Sequence, residues 1–191
     1  MTMSVCVFCG SAPGVRPSYS AAARELGAAL ARQGMTLVYG GGRLGLMGIL
    51  ADAVLEAGGR VIGVIPRMLI EREAAHPRLT RQHVVTTMHE RKTLMAEMSD
   101  AFVGLPGGMG TFDELVEIVT WAQLGLHAKP VILANIEDYF RPMYAMLDNA
   151  VTEGFVTPQS RARWRNADSV TAVMQILAKE GLAGDDPEGI S

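Results

Sequence analysis

The sequence predicts an α/β fold in which a doubly wound parallel sheet carries helices on both faces. Short, continuously apolar runs alternate along the chain with segments of helical spacing, and several of these runs end in glycine. Uninterrupted apolar strands are typical of a parallel sheet that is covered on both sides. With 191 residues, 49% of them hydrophobic, the chain suits a single Rossmann-like domain. We assign residues 1–183 to this domain and expect the polar end, residues 184–191, to be a disordered tail.

The first part of the chain predicts three strands separated by two helices. An apolar run at residues 4–9 predicts the first strand, and the alanine-rich helical spacing of residues 17–33 predicts a helix that Gly34 closes. A second strand at residues 35–39 runs into a glycine-rich turn, followed by a helix at residues 46–57. Gly58 and Gly59 then lead to a third strand at residues 60–65.

The second part continues the alternation. Strands are expected at residues 83–87, 101–105 and 131–134, and helices at residues 88–98, 111–126, 139–153 and 169–180. In a doubly wound sheet, ligands bind beyond the carboxyl ends of the strands. The loops at residues 10–11, 40–48, 66–76 and 106–111 are therefore expected on one rim.

Composition excludes several classes of function. A formal net charge of -3 with dispersed Lys and Arg gives no basic footprint for nucleic acid. No apolar run approaches the roughly 18 residues that span a bilayer, so we expect a soluble, cytoplasmic protein without membrane contact. Cys6 and Cys9 allow a redox or zinc interpretation, but their spacing in a strand favours two buried core residues on opposite faces. His76, His83 and His127 are isolated, which gives no basis for a metal site.

The most informative stretch is a glycine-rich turn at residues 105–114, between a strand and a long apolar helix. Three glycines within four residues allow a ligand to approach the backbone closely. The N–H groups at the start of the helix favour an anion such as phosphate. Glu114 follows about a turn deeper into the helix. This spacing indicates chemistry on a phosphorylated small molecule.

The helix at residues 111–126 is apolar nearly all round, which predicts burial on most of its sides. An acidic residue in the first turn of a helix often does no more than interact favourably with the helix dipole, which stabilises the helix by about 0.3–1 kcal/mol. This interpretation is sufficient for Asp113. A carboxylate on a buried helix needs a partner, which favours a functional role for Glu114, with Glu117 less certain. Arg91 is the candidate partner. The alternative for Arg91 is a solvated surface charge.

A second glycine-rich turn contains Gly40-x-Gly42-x-x-Gly45, which matches a dinucleotide fingerprint. Two features argue against an NAD-dependent oxidoreductase. The fingerprint follows the second strand, and the third strand ends at Ile65-Pro66 without an acidic residue for a ribose diol. Binding of a mononucleotide phosphate or ribose, or simple helix-to-sheet packing, fits the turn better.

Four motifs occur together in one order along the chain. They are Cys9-Gly10-Ser11, Tyr39-Gly40-Gly41-Gly42-x-x-Gly45-Leu46-Met47-Gly48, Met88-His89-x-Arg91-Lys92 and Pro106-Gly107-Gly108-x-Gly110-Thr111-x-x-Glu114. With them the sequence resembles the Lonely Guy (LOG) family of cytokinin riboside 5'-monophosphate phosphoribohydrolases, over about residues 5–177. Members are often labelled lysine decarboxylases, but no lysine here is recognisably placed for a pyridoxal phosphate Schiff base.

The resemblance implies hydrolysis of the N-glycosidic bond of an N6-modified adenosine 5'-monophosphate, releasing the free base and ribose 5-phosphate without a cofactor. It implies Arg91 and Glu114 as the catalytic pair. The substrate-binding residues it implies are Gly107, Gly108, Met109, Gly110 and Thr111 for the phosphate, together with Asp113, Lys92, Glu73, Thr120, Ser11 and Gly42. Asp113 stands where members usually carry Glu, and Glu73 matches a family glutamate near the base.

The resemblance and the apolar helix both imply a homodimer. One alternative of another class stays open. Proteins that carry molybdenum cofactor share a similar fold and glycine-rich turn, so a non-catalytic carrier or sensor of a phosphorylated ligand is the second interpretation. The physiological base is left open as well: a cytokinin, plain adenine or a damaged base.

Overall fold

A computed structural model describes residues 2–70 and 74–183 of the chain. Its sheet is entirely parallel and has seven strands in the order β4-β3-β2-β1-β5-β6-β7. The strands are β1 Ser4–Phe8, β2 Thr36–Tyr39, β3 Arg60–Pro66, β4 Arg81–Val85, β5 Ala101–Gly104, β6 Val131–Ala134 and β7 Trp164–Ala167. The helices are α1 Pro17–Arg32, α2 Gly45–Glu56, α3 Met88–Glu97, α4 Met109–Gln123, α5 Arg141–Thr152, α6 Pro158–Arg161 and α7 Val170–Ala183.

The doubly wound α/β fold predicted from the sequence is confirmed. From β1 the chain winds outward through β2 and β3 to β4, and it then returns to pair β5 with the other side of β1. The order of strands therefore reverses between β1 and β5. Loops that leave the carboxyl ends of strands at such a switch point diverge and open a crevice for a ligand.

The core has one layer on each face of the sheet. Helices α1, α2 and α7 cover one face, with Leu26, Leu50 and Leu177 fully buried there. Helices α3, α4 and α5 cover the other. Cys6 points into the second layer and Cys9 into the first, and both thiols are buried and free. The prediction of two buried core cysteines on opposite faces is confirmed.

The fold differs from the prediction at several points: the short helix α6 was not predicted, β4 begins and ends two residues earlier than the strand predicted at residues 83–87, and two larger differences concern β7 and α4. The pattern analysis missed β7, because only Trp164 and Ala167 of this short edge strand are buried and its centre is Arg-Asn. The expectation that α4 is buried on most sides is wrong for a single chain. Its buried residues form one stripe, at positions 111, 115, 118, 119 and 122, whereas Val116 is 46% exposed. A stripe of this spacing covers the sheet with only one side of a helix.

Within the described residues, no helix has both the length and the apolar character needed to cross a membrane. Residues 184–191, expected to be a disordered tail, lie outside the described part of the chain, as does Glu73.

Candidate active site

A cavity of about 160 Å³ lies at the switch point of the sheet. The end of β1, the end of β2 and the first turns of α2, α3 and α4 form its walls. Its lining residues are Val7, Phe8, Cys9, Gly10, Ser11, Gly40, Met47, Arg91, Gly108, Met109, Gly110, Thr111 and Glu114. The loops expected on one rim after β1, β2 and β5 thus meet around a single cavity.

The glycine-rich turn between β5 and α4 packs directly on the turn after β1. The amide of Gly10 donates a hydrogen bond to the carbonyl of Pro106 at 3.1 Å. A Cβ atom on Gly107 would lie 2.1 Å from Oγ1 of Thr111 and 2.8 Å from the amide nitrogen of Gly10. No side chain fits at this position, so glycine is required by the close approach of two backbones.

The start of α4 provides an anion-binding surface. The first N–H groups of α4, like those of any helix, have no acceptor within the helix. Gly108, which precedes α4, has no side chain that could cap them. Gly108, Met109, Gly110 and Thr111 all line the cavity. Unsatisfied N–H groups and the positive end of the helix dipole together favour a phosphate at this point.

Arg91 lies against the ends of two strands rather than in solvent. Only 5% of the residue is exposed. Its Nε donates to the carbonyl of Val64 and its Nη2 to the carbonyl of Gly40, both at 3.2 Å. A Cβ atom on Gly40 would lie 2.0 Å from Nη2. Backbone carbonyls therefore fix the position of this guanidinium, and the alternative of a solvated surface charge is wrong.

Glu114 faces Arg91 across the cavity. Its Oε1 lies 4.0 Å from Nη2 of Arg91, and only 11% of the Glu114 side chain is exposed. At this separation and burial the two charges attract strongly, because little water screens them. The predicted pairing of Glu114 with Arg91 is present, in the same cavity as the start of α4. The pair presents a carboxylate and a cationic donor to any ligand held there.

Cys9 is a further cavity residue with a perturbed environment. Burial raises the pKa of its thiol well above the ordinary value, and the negative charge of Glu114 raises it further. The thiol therefore stays protonated at neutral pH and is a poor nucleophile. Cys9 contributes a neutral wall beside Glu114.

Lys92 points away from the cavity and connects α3 to α4. Its Nζ lies 3.0 Å from Oδ2 of Asp113 and 2.9 Å from Oε2 of Glu117. Partial burial lowers the pKa of Lys92, but the hydrogen bonds and charges of Glu117 and Asp113 outweigh burial and raise it overall. The three residues form a charged cluster beside the cavity, and none of them is among its lining residues.

Besides Lys92 and Asp113, three more of the predicted site residues lie away from the lining of the cavity. Gly107 borders a second cavity behind the turn. Gly42 forms an antiparallel bridge with Ala75. Thr120 is exposed on α4, and its hydroxyl donates to the carbonyl of Val116 at 2.7 Å.

Sequence patterns gave no individual role in the cavity to Gly40, Cys9 or Gly10. Gly10 and Gly40 each follow a predicted strand directly, which is the signal that could have identified them. The role of Gly40 follows only from the approach of Arg91, a residue 51 positions away in sequence.

Among residues 2–70 and 74–183, no group of three or more His, Cys, Asp and Glu side chains is placed to hold a metal ion. His76 is buried with its Nε2 3.2 Å from Oδ1 of Asp52, and its Nδ1 accepts a hydrogen bond from the amide of Arg78. These contacts give His76 a structural role in holding the segment after residue 74 against α2.

Comparison with known proteins identifies the family of the chain. A family model described as "possible lysine decarboxylase" matches residues 47–177. A cytokinin riboside 5'-monophosphate phosphoribohydrolase from Rhodococcoides fascians is 52% identical over 161 residues, which covers 84% of this chain and 81% of the relative. One from Arabidopsis thaliana is 50% identical over 157 residues, covering 82% of this chain and 74% of the relative.

Solved structures show the same fold at lower sequence similarity. The molybdenum cofactor carrier protein of Chlamydomonas reinhardtii superposes with a TM-score of 0.72 at 20% identity, covering 95% of this chain and 99% of that one. The molybdenum cofactor binding protein of Rippkaea orientalis gives 0.70 at 20% identity, covering 94% and 97%. At this identity the likeness concerns the fold alone. On the matched family model and relatives of about 50% identity, the chain belongs to the LOG family of cytokinin riboside 5'-monophosphate phosphoribohydrolases.

Proposed function

We propose that this protein hydrolyses the N-glycosidic bond of adenosine 5'-monophosphates, including N6-modified ones, to a free base and ribose 5-phosphate. One observation carries the proposal: the Arg91–Glu114 pair and the N–H groups at the start of α4 share one cavity. An anion site beside a carboxylate suits a substrate that is a phosphate ester and reacts a few ångströms away. Relatives of about 50% identity that bear the name of this activity support it.

The proposed mechanism begins with the 5'-phosphate bound at the turn formed by residues 107–111, which we call the phosphate turn. The phosphate then fixes the ribose over Glu114. As the bond from the anomeric carbon to the base nitrogen breaks, the sugar gains positive charge, which the carboxylate of Glu114 stabilises. Water adds to the anomeric carbon and loses a proton to Glu114, while the leaving base takes up a proton. Arg91, whose Nη2 lies 4.0 Å from Oε1 of Glu114, contacts a substrate oxygen.

The remaining assignments extend this proposal. Asp113, next to the cavity and 59% exposed at its side chain, is proposed to accept a hydrogen bond from a ribose hydroxyl when Lys92 releases it. Ser11 lines the cavity beside the phosphate turn and is proposed to donate to the phosphate. For Glu73, Thr120 and Gly42, the substrate-binding assignment rests on the resemblance to the family.

We also propose that the protein is a homodimer. The face of α4 that does not cover the sheet exposes Met109 and Val116, and the segment directly after α4 exposes Leu124 and Leu126; three of these four residues are more than 60% exposed. Exposed apolar residues that cluster in one region of a surface indicate an interaction site, whereas scattered single ones do not. A second copy related by twofold symmetry would cover this face with the same face of its own.

Two other interpretations have less support. All three lysines of the chain lie within the described residues, and none lines the cavity. A decarboxylase that binds pyridoxal phosphate through a lysine Schiff base is therefore disfavoured. In the dinucleotide-like fingerprint, a Cβ atom on Gly45 would lie 2.3 Å from the backbone of Ser11. Packing between two turns thus explains this glycine without NAD.

The direct test is to incubate the protein with AMP and with N6-isopentenyladenosine 5'-monophosphate and to quantify the free base by chromatography. The variant Glu114→Gln should lose at least about a hundredfold in kcat, because it removes the charge that stabilises the transition state. Glu117→Gln is the matched control, since Glu117 lies one turn further along α4, outside the cavity lining. It should keep most of the activity.

Three outcomes would contradict the proposal. The first is a wild-type protein that cleaves neither nucleotide under conditions in which a control enzyme is active. The second is full activity in Glu114→Gln, which would remove this residue from the mechanism. The third is a tightly bound pterin, visible as absorbance in the purified protein, which would favour the carrier.

A further inference from the structure

Tyr139 contacts the phosphate turn from behind. It follows β6 at the end of the short turn Ile136–Asp138, and its hydroxyl donates a hydrogen bond to the carbonyl of Gly107. The two residues lie 32 positions apart. Tyr139 also borders a second cavity, of about 210 Å³, whose lining does not include Glu114. The mechanism described above makes no use of this contact.

The hydrogen bond fixes the orientation of one peptide group. A peptide unit is planar and trans, so its C=O and N–H point in opposite directions. Because the Gly107 carbonyl points to Tyr139, the N–H of Gly108 in the same unit points away from Tyr139, and Gly108 lines the cavity that holds Glu114 as well as the second cavity. Glycine on both sides of this unit leaves its rotation nearly unrestricted by side chains. An external hydrogen bond is therefore the natural means of holding it.

The side chain of Tyr139 is itself held in place. Its ring meets Tyr19 edge-on at 5.8 Å and Phe140 edge-on at 5.1 Å between ring centroids. Its ring also stacks on Phe112, in the first turn of α4, at 6.4 Å. Tyr139 thus joins the turn that follows β6 to both the carbonyl and the first helical turn of the phosphate site.

The backbone that leads into Tyr139 is strained. Glu137 and Asp138 both adopt left-handed conformations, with φ of 55° and 59°. Non-glycine residues reach this region at a cost of order 1 kcal/mol or more each, and they keep it only where the surroundings hold them. Asn135 does so here: its side chain donates to Asp138 at 2.9 Å and accepts from the amide of Phe140 at 2.7 Å.

We propose that Tyr139 is a positioning residue for the phosphate site: through the Gly107 carbonyl, it keeps the N–H of Gly108 directed at the 5'-phosphate. This inference rests on the proposed function and identifies a residue outside its sequence motifs. Loss of the hydroxyl lets the Gly107–Gly108 peptide rotate, and one donor to the phosphate is then absent for part of the time. The reacting carbon and Glu114 are unaffected once the substrate is bound.

The test is the variant Tyr139→Phe, which removes the hydroxyl and keeps the ring. With AMP or its N6-isopentenyl derivative, KM should rise about fivefold to tenfold, as expected for one lost hydrogen bond, while kcat stays within about twofold. The inhibition constant of inorganic phosphate should rise by the same factor. With the unphosphorylated nucleoside, kcat/KM should be equal in variant and wild type, because that ligand does not use the phosphate site.

Tyr144→Phe is the matched control. Tyr144 lies on α5, away from the phosphate turn, and its hydroxyl is 3.1 Å from Oδ1 of Asn166. Its loss should leave KM for nucleotide unchanged. Equal losses with nucleotide and nucleoside in Tyr139→Phe would indicate general destabilisation and overturn the proposal, as would an unchanged KM.

Failure of this inference and failure of the proposed function are distinguishable. If the wild-type protein cleaves no nucleotide, the proposed function fails, and the role of Tyr139 is then tested by calorimetric titration with inorganic phosphate alone. Weaker phosphate binding by Tyr139→Phe supports the positioning role even in that case. Equal binding by both proteins, or no binding by the wild type, overturns it.

Discussion

Burial of the Arg91 guanidinium costs desolvation free energy, which its contacts in the folded protein offset. Removing a guanidinium from water carries a penalty of several kcal/mol unless hydrogen bonds and an opposite charge replace the solvent. The carbonyls of Gly40 and Val64 and the carboxylate of Glu114 supply that replacement. Because the carbonyls belong to strand ends, the sheet itself sets the position of the charge. Arg91 is thus in place before any substrate arrives.

The contact between Gly40 and Arg91 leads to a prediction at the residue scale. In Gly40→Ala the new methyl group would lie 2.0 Å from Nη2, so the guanidinium must move from its position opposite Glu114. We expect kcat with AMP to fall about tenfold to a hundredfold, because displacement of a reacting group by about 1 Å commonly costs this much.

Gly34→Ala serves as the control for Gly40→Ala. Gly34 has a left-handed φ of 68°, and no neighbouring atom lies within 4 Å of the place that a methyl group would take. Alanine there should therefore lower the melting temperature without affecting kcat. Thermal melts identify a temperature at which both variants are folded for the kinetic comparison. Full activity of Gly40→Ala would show that activity does not depend on the position in which the backbone carbonyls hold Arg91.

At this scale the sequence was informative about identity and less so about environment. The motif around residue 91 pointed to Arg91, yet a charged residue near the start of a helix equally fits a solvated position. What decides between the two is the distance to Gly40, 51 residues earlier, and no local pattern encodes that distance. Glu114 was easier, because a carboxylate on an apolar helix already requires a partner.

At the scale of elements, α3 and α4 act as a pair. Arg91 and Lys92 are neighbours on α3, and they point to opposite sides of the contact with α4. Arg91 reaches Glu114 inside the cavity, and Lys92 reaches Asp113 and Glu117 beside it. The outer ion pairs therefore help to fix the separation of the two helices that carry Arg91 and Glu114.

The ion pairs of Lys92 predict a specific dependence of stability on pH. The pKa of Lys92 is raised in the folded protein, so its contribution is fully present below the unfolded value of about 10.4 and is lost as the pH rises through the folded value. Lys92→Met should lower the free energy of unfolding by about 1 kcal/mol at pH 8. The difference between the two proteins should begin to shrink above about pH 10.4, where the unfolded chain loses the Lys92 proton, and it should disappear once the folded protein has lost this proton as well.

Urea titrations at pH 8 and pH 11 measure this difference, with Lys179→Met as the control, since Lys179 is an exposed lysine on α7. The control should differ little from the wild type at either pH. A destabilisation of Lys92→Met that is the same at both values would mean that packing of the lysine stem, rather than its charge, stabilises the α3–α4 contact.

The predicted elements matched the structure best where the sequence pattern was strongest. The strand predicted at residues 131–134 has the same bounds in β6, and the helix predicted at residues 17–33 differs from α1 by one residue. Strand β7 was missed because an edge strand of four residues with two polar side chains lacks the continuous apolar run of the central strands. Short edge strands depend on a partner strand rather than on their own composition.

At the scale of the whole molecule, the uncovered face of α4 leads to a prediction about assembly. We expect light scattering at micromolar concentration to give the mass of a dimer, twice 20.5 kDa. Val116→Asp should shift the protein toward the monomer, because a buried, unpaired carboxylate at an interface costs several kcal/mol.

Val15→Asp is the matched control for this substitution, since Val15 is 96% exposed on the loop before α1, outside α4. It should leave the mass unchanged. A wild-type monomer at these concentrations would refute the dimer.

The sequence predicted the fold more completely than the surface. Periodicity distinguishes strands from helices, and the order of the elements then restricts the sheet to few topologies. An apolar helix, by contrast, has the same appearance whether a sheet or a second chain covers it. Burial of α4 on most sides was expected for this reason, and the single chain leaves Val116 and Met109 exposed.

The turns around the cavity are joined across the sheet. The amide of Gly10 bonds to Pro106, and the amides of Leu46 and Met47 bond to the carbonyl of Gly10, so segments that follow β1, β2 and β5 depend on one another. In the folded protein each of these segments is held by hydrogen bonds to another. We therefore expect the cavity to form in the same cooperative step as the middle of the sheet. A chain in which β5 has not yet docked beside β1 should then lack hydrolase activity altogether rather than show part of it.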